Sequence, residues 1–171
     1  MLSVLSGYSQ MLQIDQDTPD QNLEIKAHKV EEDVLLKIML RQTDAFVHFK
    51  QNGWNIERAA ISNGDTSAFT RLNESPIKPA SRERWEALKN QSDMVGPILK
   101  VLYPEPTKEA PQSFFGQVNS DQTLNNRHYF YLFLSADNRA VSKASGLEYL
   151  DKSAERDKEY LYRATIQGHE D

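Results

Sequence analysis

Positions 159–167 read Glu-Tyr-Leu-Tyr-Arg-Ala-Thr-Ile-Gln, and they give the clearest secondary-structure signal in the chain. Every second residue from Tyr160 to Ile166 is aromatic or aliphatic, and the residues between them are mixed. Successive side chains of a strand point to opposite faces, so this pattern predicts a strand with one buried face. Aromatic and β-branched residues also suit a pleated surface. The rest of the chain must therefore supply the surface that covers this face.

Length and composition limit the class of protein. A chain of 171 residues with 39% hydrophobic content is long enough for one core, so a single domain with an insertion is expected. The 20 Lys and Arg residues against 25 Asp and Glu give a net charge of −5, which argues against a nucleic-acid partner. Cysteine is absent, so there are no disulfides or thiolate zinc sites, and the redox compartment stays open.

Further strands are predicted before position 77. Residues 23–28 and 34–39 alternate in the same way, with an acidic turn at 31–33 between them. A loop through Thr43 and Asp44 follows, and a third strand is expected at 54–61. Asn63 and Gly64 tolerate positive φ, so they predict a hairpin turn before a short returning strand at 69–72.

Residues 78–146, the middle of the chain, carry helix signals in place of strand alternation. Ser81 is a plausible N-cap, and Trp85 and Leu88 lie on one face of the helix that follows. The pair Gly96-Pro97 is expected to end or kink that helix. Prolines at 104, 106 and 111 then predict an extended linker.

Six consecutive apolar residues, 129–134, fit either a buried helix or a buried strand, and we favour a helix. Asp137 is expected to cap a further short helix that ends at Gly146. Alternation resumes at 147–151, which predicts a short strand before the one that begins at Glu159.

Two short motifs resemble fibronectin type III domains. Tyr160-Leu161-Tyr162-Arg163 is similar to the run that enters the penultimate strand of that family. Residues 53–58, Gly-Trp-Asn-Ile-Glu-Arg, are similar to the family's Gly-Tyr-x-Ile-x-Arg strand, and residues 69–72 with Pro76-Ile77 resemble the segment that follows it in bacterial members.

The resemblance implies a mainly β fold, an immunoglobulin-like sandwich with helices in its middle third. The sandwich would comprise residues 23–77 and 147–167, after a leader and linker at 1–22. Residues 78–146 would be a helical insertion outside the sandwich core. The structural side chains implied by the two motifs are Trp54, Ile56, Tyr160 and Tyr162. The family's tyrosine corner further implies that the Tyr160 hydroxyl bonds backbone a few residues upstream.

The chain departs from the family in two places. Ile38 stands where a core tryptophan is expected, and Trp54 would fill that volume. A seventh strand is also expected after Ile166, but only five residues remain. The sequence would then be a fragment of a longer chain, or a partner donates the strand, or residues 11–14 fold over the open edge.

The N-terminal residues 1–9 resemble the end of a secretory signal, because Gly7 and Ser9 are small residues before a cut at Gln10. A polar leader explains them equally well. No stretch approaches the roughly 18 apolar residues of a membrane span. With the family resemblance, this favours a secreted or cell-surface bacterial protein.

No catalytic constellation is visible in the sequence. The four histidines, at 28, 48, 128 and 169, lack the spacing of zinc ligands, so neither a metal nor another cofactor is expected. His128, beside Arg127 on an otherwise apolar helix, is expected to be a hydrogen-bonded structural residue. There is no cysteine nucleophile and no glycine-rich phosphate loop.

Aromatic residues of the middle third are the remaining candidates for binding. Trp85, Tyr103, Phe114, Phe115 and the run 129–133 could form a sugar-stacking platform or a groove for a partner, although a core under the insertion uses the same residue types. The leading hypothesis is a non-catalytic spacer or a protein-binding or glycan-binding module. The alternatives are an accessory region of a larger glycan-degrading enzyme and a strand-accepting assembly subunit.

Overall fold

The computed structural model describes residues 13–14, 23–104 and 114–166, with side chains for 23–104 and 123–166. Its strands are β1 (Gln13–Ile14), β2 (Leu23–Val30), β3 (Asp33–Leu40), β4 (Trp54–Ser62), β5 (Asp65–Thr66), β6 (Thr70–Arg71), β7 (Glu148–Asp151) and β8 (Glu159–Ile166). Its helices are α1 (Thr43–Asn52), α2 (Arg82–Glu86), α3 (Val95–Leu102), α4 (Phe114–Ser135) and α5 (Arg139–Ala144). Helix and strand are about equally extensive, so the fold is mixed rather than mainly β.

The strands form two sheets. The three-stranded sheet has the order β2-β3-β7 and is antiparallel throughout. The five-stranded sheet has the order β1-β8-β4-β5, and β6 also pairs with β4. In it β4 and β8 pair antiparallel along their whole length, from Trp54 opposite Ile166 to Ile61 opposite Glu159. The predicted strands before position 77 and after position 147 are therefore confirmed.

Strand β8 buries the face that its alternation predicts. Tyr160, Tyr162, Ala164 and Ile166 are all buried, whereas the intervening side chains are partly or fully exposed. The strand ends at Ile166, and Gln167, which the prediction included, lies outside the described residues.

One buried cluster joins the sheets to the helices. Trp54 and Tyr160 of the five-stranded sheet share it with Trp85 of α2, Ile98 of α3 and Tyr131 of α4. The expectation that the middle third lies outside the core is therefore wrong. The physical reason is that the helices each carry one apolar face, and burying it against the sheets removes that surface from water.

Residues 43–52 form a helix where a loop through Thr43 and Asp44 was predicted. The helix buries Ala45, Phe46 and Phe49, which share one face at helical spacing. Its N-cap residue, Gln42, makes no side-chain capping bond, so the usual sequence signal for a helix start is missing.

The other helix boundaries were predicted in part. Ser81 caps α2 as expected, since its side chain accepts a hydrogen bond from the Arg84 backbone N–H. Pro97 does not end a helix but lies in the first turn of α3, where its missing N–H is not needed. The cap of α5 is Asn138 and not Asp137, because Asn138 accepts from the Val141 N–H. The run 129–134 is helical, as favoured.

A turn at residues 145–146, here called the junction, is where the sheets and helices meet. The Trp54 Nε1–H donates to the carbonyl of Gly146 at 2.7 Å, and the Tyr131 hydroxyl of α4 donates to the carbonyl of Ser145. Gly146 has a φ of 73°, and a Cβ there would lie 2.6 Å from the Lys78 carbonyl oxygen. Only glycine fits this position without strain.

The outer edge of β8 carries a short parallel strand. Gln13 lies opposite Leu161 and Ile14 opposite Tyr162. The expectation that residues 11–14 cover this edge is met for the two residues that the structure describes there. The proposed signal remnant at 1–9 and the prolines at 106 and 111 lie outside the described residues.

Candidate functional site

Helix α4 turns one face of its C-terminal half to the core. His128, Tyr131, Leu134 and Ser135 are buried there. The rings of His128 and Tyr131 pack on Phe46 of α1, with centroids 5.5 Å and 5.2 Å away. Because these contacts fix the rotation of the helix about its axis, they also decide which aromatic residues point outward.

His128 is held by hydrogen bonds, as predicted for a structural histidine. Its Nε2 donates to the Leu40 carbonyl at 3.0 Å, and its Nδ1 lies 3.3 Å from the Thr43 hydroxyl. Burial lowers the pKa of the imidazole, and the Leu40 carbonyl and the charge of Asp44 offset this only in part. The neutral form is therefore the one that suits the folded protein.

Tyr129, Phe130 and Phe133 form the opposite face, here called the aromatic surface. Their exposed fractions are 65%, 58% and 76%, which is unusual for side chains that gain so much from burial. Phe133 is one turn from both Tyr129 and Phe130, at i+4 and i+3, so its ring is the helical neighbour of the other two. Adjacent exposed apolar side chains of this size typically mark an interaction site.

The residues predicted for binding are placed differently from one another. Trp85 is fully buried, so it packs the core and offers no surface to a ligand. Tyr103 is half-buried, and its hydroxyl donates to the Ala80 carbonyl at 3.3 Å. Phe114 and Phe115 begin α4, but their side chains lie outside the described residues. Among the predicted aromatic residues whose side chains the structure describes, the largely exposed rings are those of Tyr129, Phe130 and Phe133.

The four residues predicted to be structural are buried side by side in the five-stranded sheet. Trp54 and Ile56 are completely buried on β4, and Tyr160 and Tyr162 lie on β8. The Tyr160 hydroxyl accepts a hydrogen bond from the Glu155 backbone N–H at 3.2 Å, five residues upstream. The backbone contact expected of this tyrosine is therefore present.

A buried polar cluster, which was not predicted from the sequence, joins the two sheets. Asp151 of β7 is 1% exposed and accepts hydrogen bonds from Arg58 Nη1 at 2.7 Å and from the Tyr162 hydroxyl at 2.9 Å. The backbone N–H and hydroxyl of Ser153 donate to its other oxygen. The Arg58 guanidinium also lies over the Tyr160 ring, 4.4 Å from its centroid.

The electrostatics of this cluster favour a structural role. Burial raises the pKa of Asp151, but hydrogen bonds from Ser153, Tyr162 and Arg58 outweigh it, so the pKa lies below its usual value. Burial and the adjacent Asp151 charge raise the pKa of the Tyr162 hydroxyl. Both carboxylate oxygens already accept hydrogen bonds from the protein, so the cluster holds the sheets together.

The structure contains no helix, within its described ranges, that is long and apolar enough to cross a membrane. In the same ranges no three His, Asp or Glu side chains are grouped so that they could hold a metal ion. His169 lies outside them.

Comparison of the chain with models of protein families gave no match, and neither did comparison with curated proteins or with solved structures.

Proposed function

We propose that this chain is a non-catalytic contact module built on a fibronectin type III-like sandwich. The strand order supports the proposal. An immunoglobulin-type sandwich places strands A, B and E in one sheet and C and F next to each other in the second. The order β2-β3-β7 corresponds to A-B-E, and β4 beside β8 corresponds to C beside F.

The helices between β6 and β7 replace the strand D of that scheme. In this proposal residues 23–77 and 147–167 form the sandwich, and residues 78–146 form an insertion that packs on its core. Loops and insertions on a rigid scaffold are where binding residues are commonly found. The motifs at 53–58 and 160–163 further support a secreted or surface-exposed bacterial protein as the setting.

The aromatic surface is the observation that carries the contact function. Two of its three rings belong to phenylalanine, which has no polar group to bond a sugar hydroxyl or water. Protein interfaces are enriched in aromatic side chains of this kind, and a few such anchors supply most of the binding energy. We therefore assign the surface to a protein partner, and glycan binding is the outcome that would replace it.

The test compares the unchanged protein with the double variant Phe130→Ser, Phe133→Ser. The control is Met39→Ser on β3, which removes another exposed large apolar side chain outside α4. Quantitative capture from surface-protein extracts, with a glycan array in parallel, should show partners lost only in the double variant. Equal capture by all three proteins would refute the role of the aromatic surface, and retention of defined glycans would move the assignment to sugars.

A second candidate function is strand acceptance at the edge of β8. Among the described residues, β8 pairs on this side only through Leu161 and Tyr162, whereas it pairs with β4 along its full length. An unpaired edge is a template for another strand. Removing residues 1–22 should then produce dimers in analytical ultracentrifugation, and a monomer at all concentrations would argue against strand acceptance.

A further inference from the structure

A cleft lies on the outer face of the three-stranded sheet, away from the core. It encloses about 220 Å³ and has room for several water molecules or one small organic molecule. Val30 and Leu35 of the sheet form an apolar floor, and Asn138, Arg139 and Ser142 at the start of α5 form a wall.

The charges around this cleft are unusual for a surface depression. Glu148 lines it with a side chain that is only 5% exposed, and Lys37 is its neighbour across the β3–β7 pair. The Arg139 Nε lies 3.5 Å from the Glu148 carboxylate, which is an ion pair but a long one. Lys37 makes no ion pair with any residue that the structure describes. Two cations and one carboxylate leave one positive charge in excess.

We propose that this cleft binds a small organic carboxylate that carries a hydroxyl or amino group close to its carboxyl group. The ligand carboxylate would lie between Lys37 and the outer nitrogens of Arg139, where charge-assisted hydrogen bonds are strongest. The neighbouring hydroxyl or amino group would donate to Glu148, a buried carboxylate whose one ion pair among the described residues is this long one. The carbon skeleton would cover Val30 and Leu35.

Two sources share this chemistry, namely a uronic acid and an α-amino acid. D-Glucuronate and L-alanine serve as the two probes. Their binding is measured from the shifts of the protein's amide resonances in NMR titrations. D-Glucose lacks the carboxylate, and propionate lacks the donor, so these are the matched negative probes. Ligands of this size reach a dissociation constant of about 1 mM.

Three variants separate ligand binding from a purely structural role. Lys37→Ala and Glu148→Gln should each weaken binding of the active probe by about tenfold or more. Lys143→Ala, an exposed lysine on the same helix that does not line the cleft, should change it less than about twofold. Because Lys37 is exposed, Lys37→Ala should fold. It therefore tests the proposal even if replacing the buried Glu148 prevents folding.

Binding of glucuronate alone identifies a sugar acid, and binding of alanine alone identifies an amino acid. The proposal is overturned where neither probe shifts the cleft resonances at about 20 mM. It is equally overturned if glucose and propionate bind with the same affinity as the probes. The same holds if Lys37→Ala binds the active probe as tightly as the unchanged protein does.

Discussion

The contact between the two sheets differs in kind from the contact between the sheets and the helices. Between the sheets, the buried Asp151 forms an ion pair with the partly buried Arg58, and Tyr162 adds a third partner. At the junction, by contrast, Trp54 and Tyr131 each contribute one hydrogen bond to a backbone carbonyl. The contact between the two sheets therefore depends on charged side chains. The contact between the sheets and the helices depends on the backbone conformation at residues 145–146. Substitutions that act on one or the other should have distinct signatures.

Gly146→Ala should have the largest effect, because it acts on the backbone of the junction. The left-handed φ of 73° and the 2.6 Å approach of a Cβ to the Lys78 carbonyl together should cost more than about 3 kcal/mol of unfolding free energy. Gly64→Ala is the matched control, since Gly64 also has a positive φ, 85°, but nothing lies within 4 Å of its added Cβ. It should cost only about 1 kcal/mol in urea unfolding. Equal costs at the two glycines would contradict the role of the junction.

Asp151→Asn should be next, because it leaves Arg58 without its ionic partner. Breaking a buried pair of this kind costs about 3 kcal/mol at neutral pH. The pKa of Asp151 is lowered in the folded state, so the pair contributes fully above the unfolded pKa of about 3.9 and is lost as the pH falls through the folded value. The difference in melting temperature between variant and unchanged protein should therefore shrink in acid. A difference that is independent of pH would contradict an ionised Asp151.

Tyr160→Phe tests the tyrosine contact within the five-stranded sheet. Loss of the hydrogen bond from the Glu155 N–H should cost about 1 to 3 kcal/mol, because that N–H is left without its acceptor. Tyr129→Phe removes a hydroxyl from an exposed ring and should leave stability within about 0.5 kcal/mol. An unchanged melting temperature for Tyr160→Phe would exclude a structural role for the Tyr160 hydroxyl.

The pH-dependent contribution of His128 should be the smallest of these effects, and His128→Asn tests it through the pH dependence of unfolding. The pKa of His128 is lowered by folding, so the neutral imidazole contributes stability above the unfolded pKa of about 6.5, and this is lost as the pH falls. The variant should lack this decline between pH 7 and pH 5 in thermal unfolding. His28→Asn, at an exposed position of β2, should retain it. If His28→Asn abolished the decline and His128→Asn retained it, the decline would not arise from His128.

The sheets could be predicted because each strand carries its signal locally. The alternation in 159–166 is readable residue by residue, and so are the turn at Asn63-Gly64 and the cap at Ser81. Helix α1 was missed because Gln42 supplies no side-chain cap, although Phe46 and Phe49 have helical spacing.

The candidate site could be predicted only in outline. The run 129–134 is apolar on every side, so its own sequence cannot show that Tyr131 turns inward and Phe133 outward. The packing of α4 against Phe46 decides this. The pair Arg58 and Asp151 was missed for a related reason, since these residues are 93 positions apart and the motif that contains Arg58 says nothing about its partner.

The pairing of β4 with β8 also has a consequence for how the protein folds. Glu57 and Arg163, which bond across this pair, are 106 positions apart, and contacts between such distant residues form slowly. During synthesis the edge of β4 that pairs with β8 stays without this partner until residues 159–166 have emerged. Early docking of the helices would shorten the effective loop between the two strands and lower the entropic cost of closing it. The central third therefore assists the pairing of β4 with β8 during folding, in addition to any binding role in the folded protein.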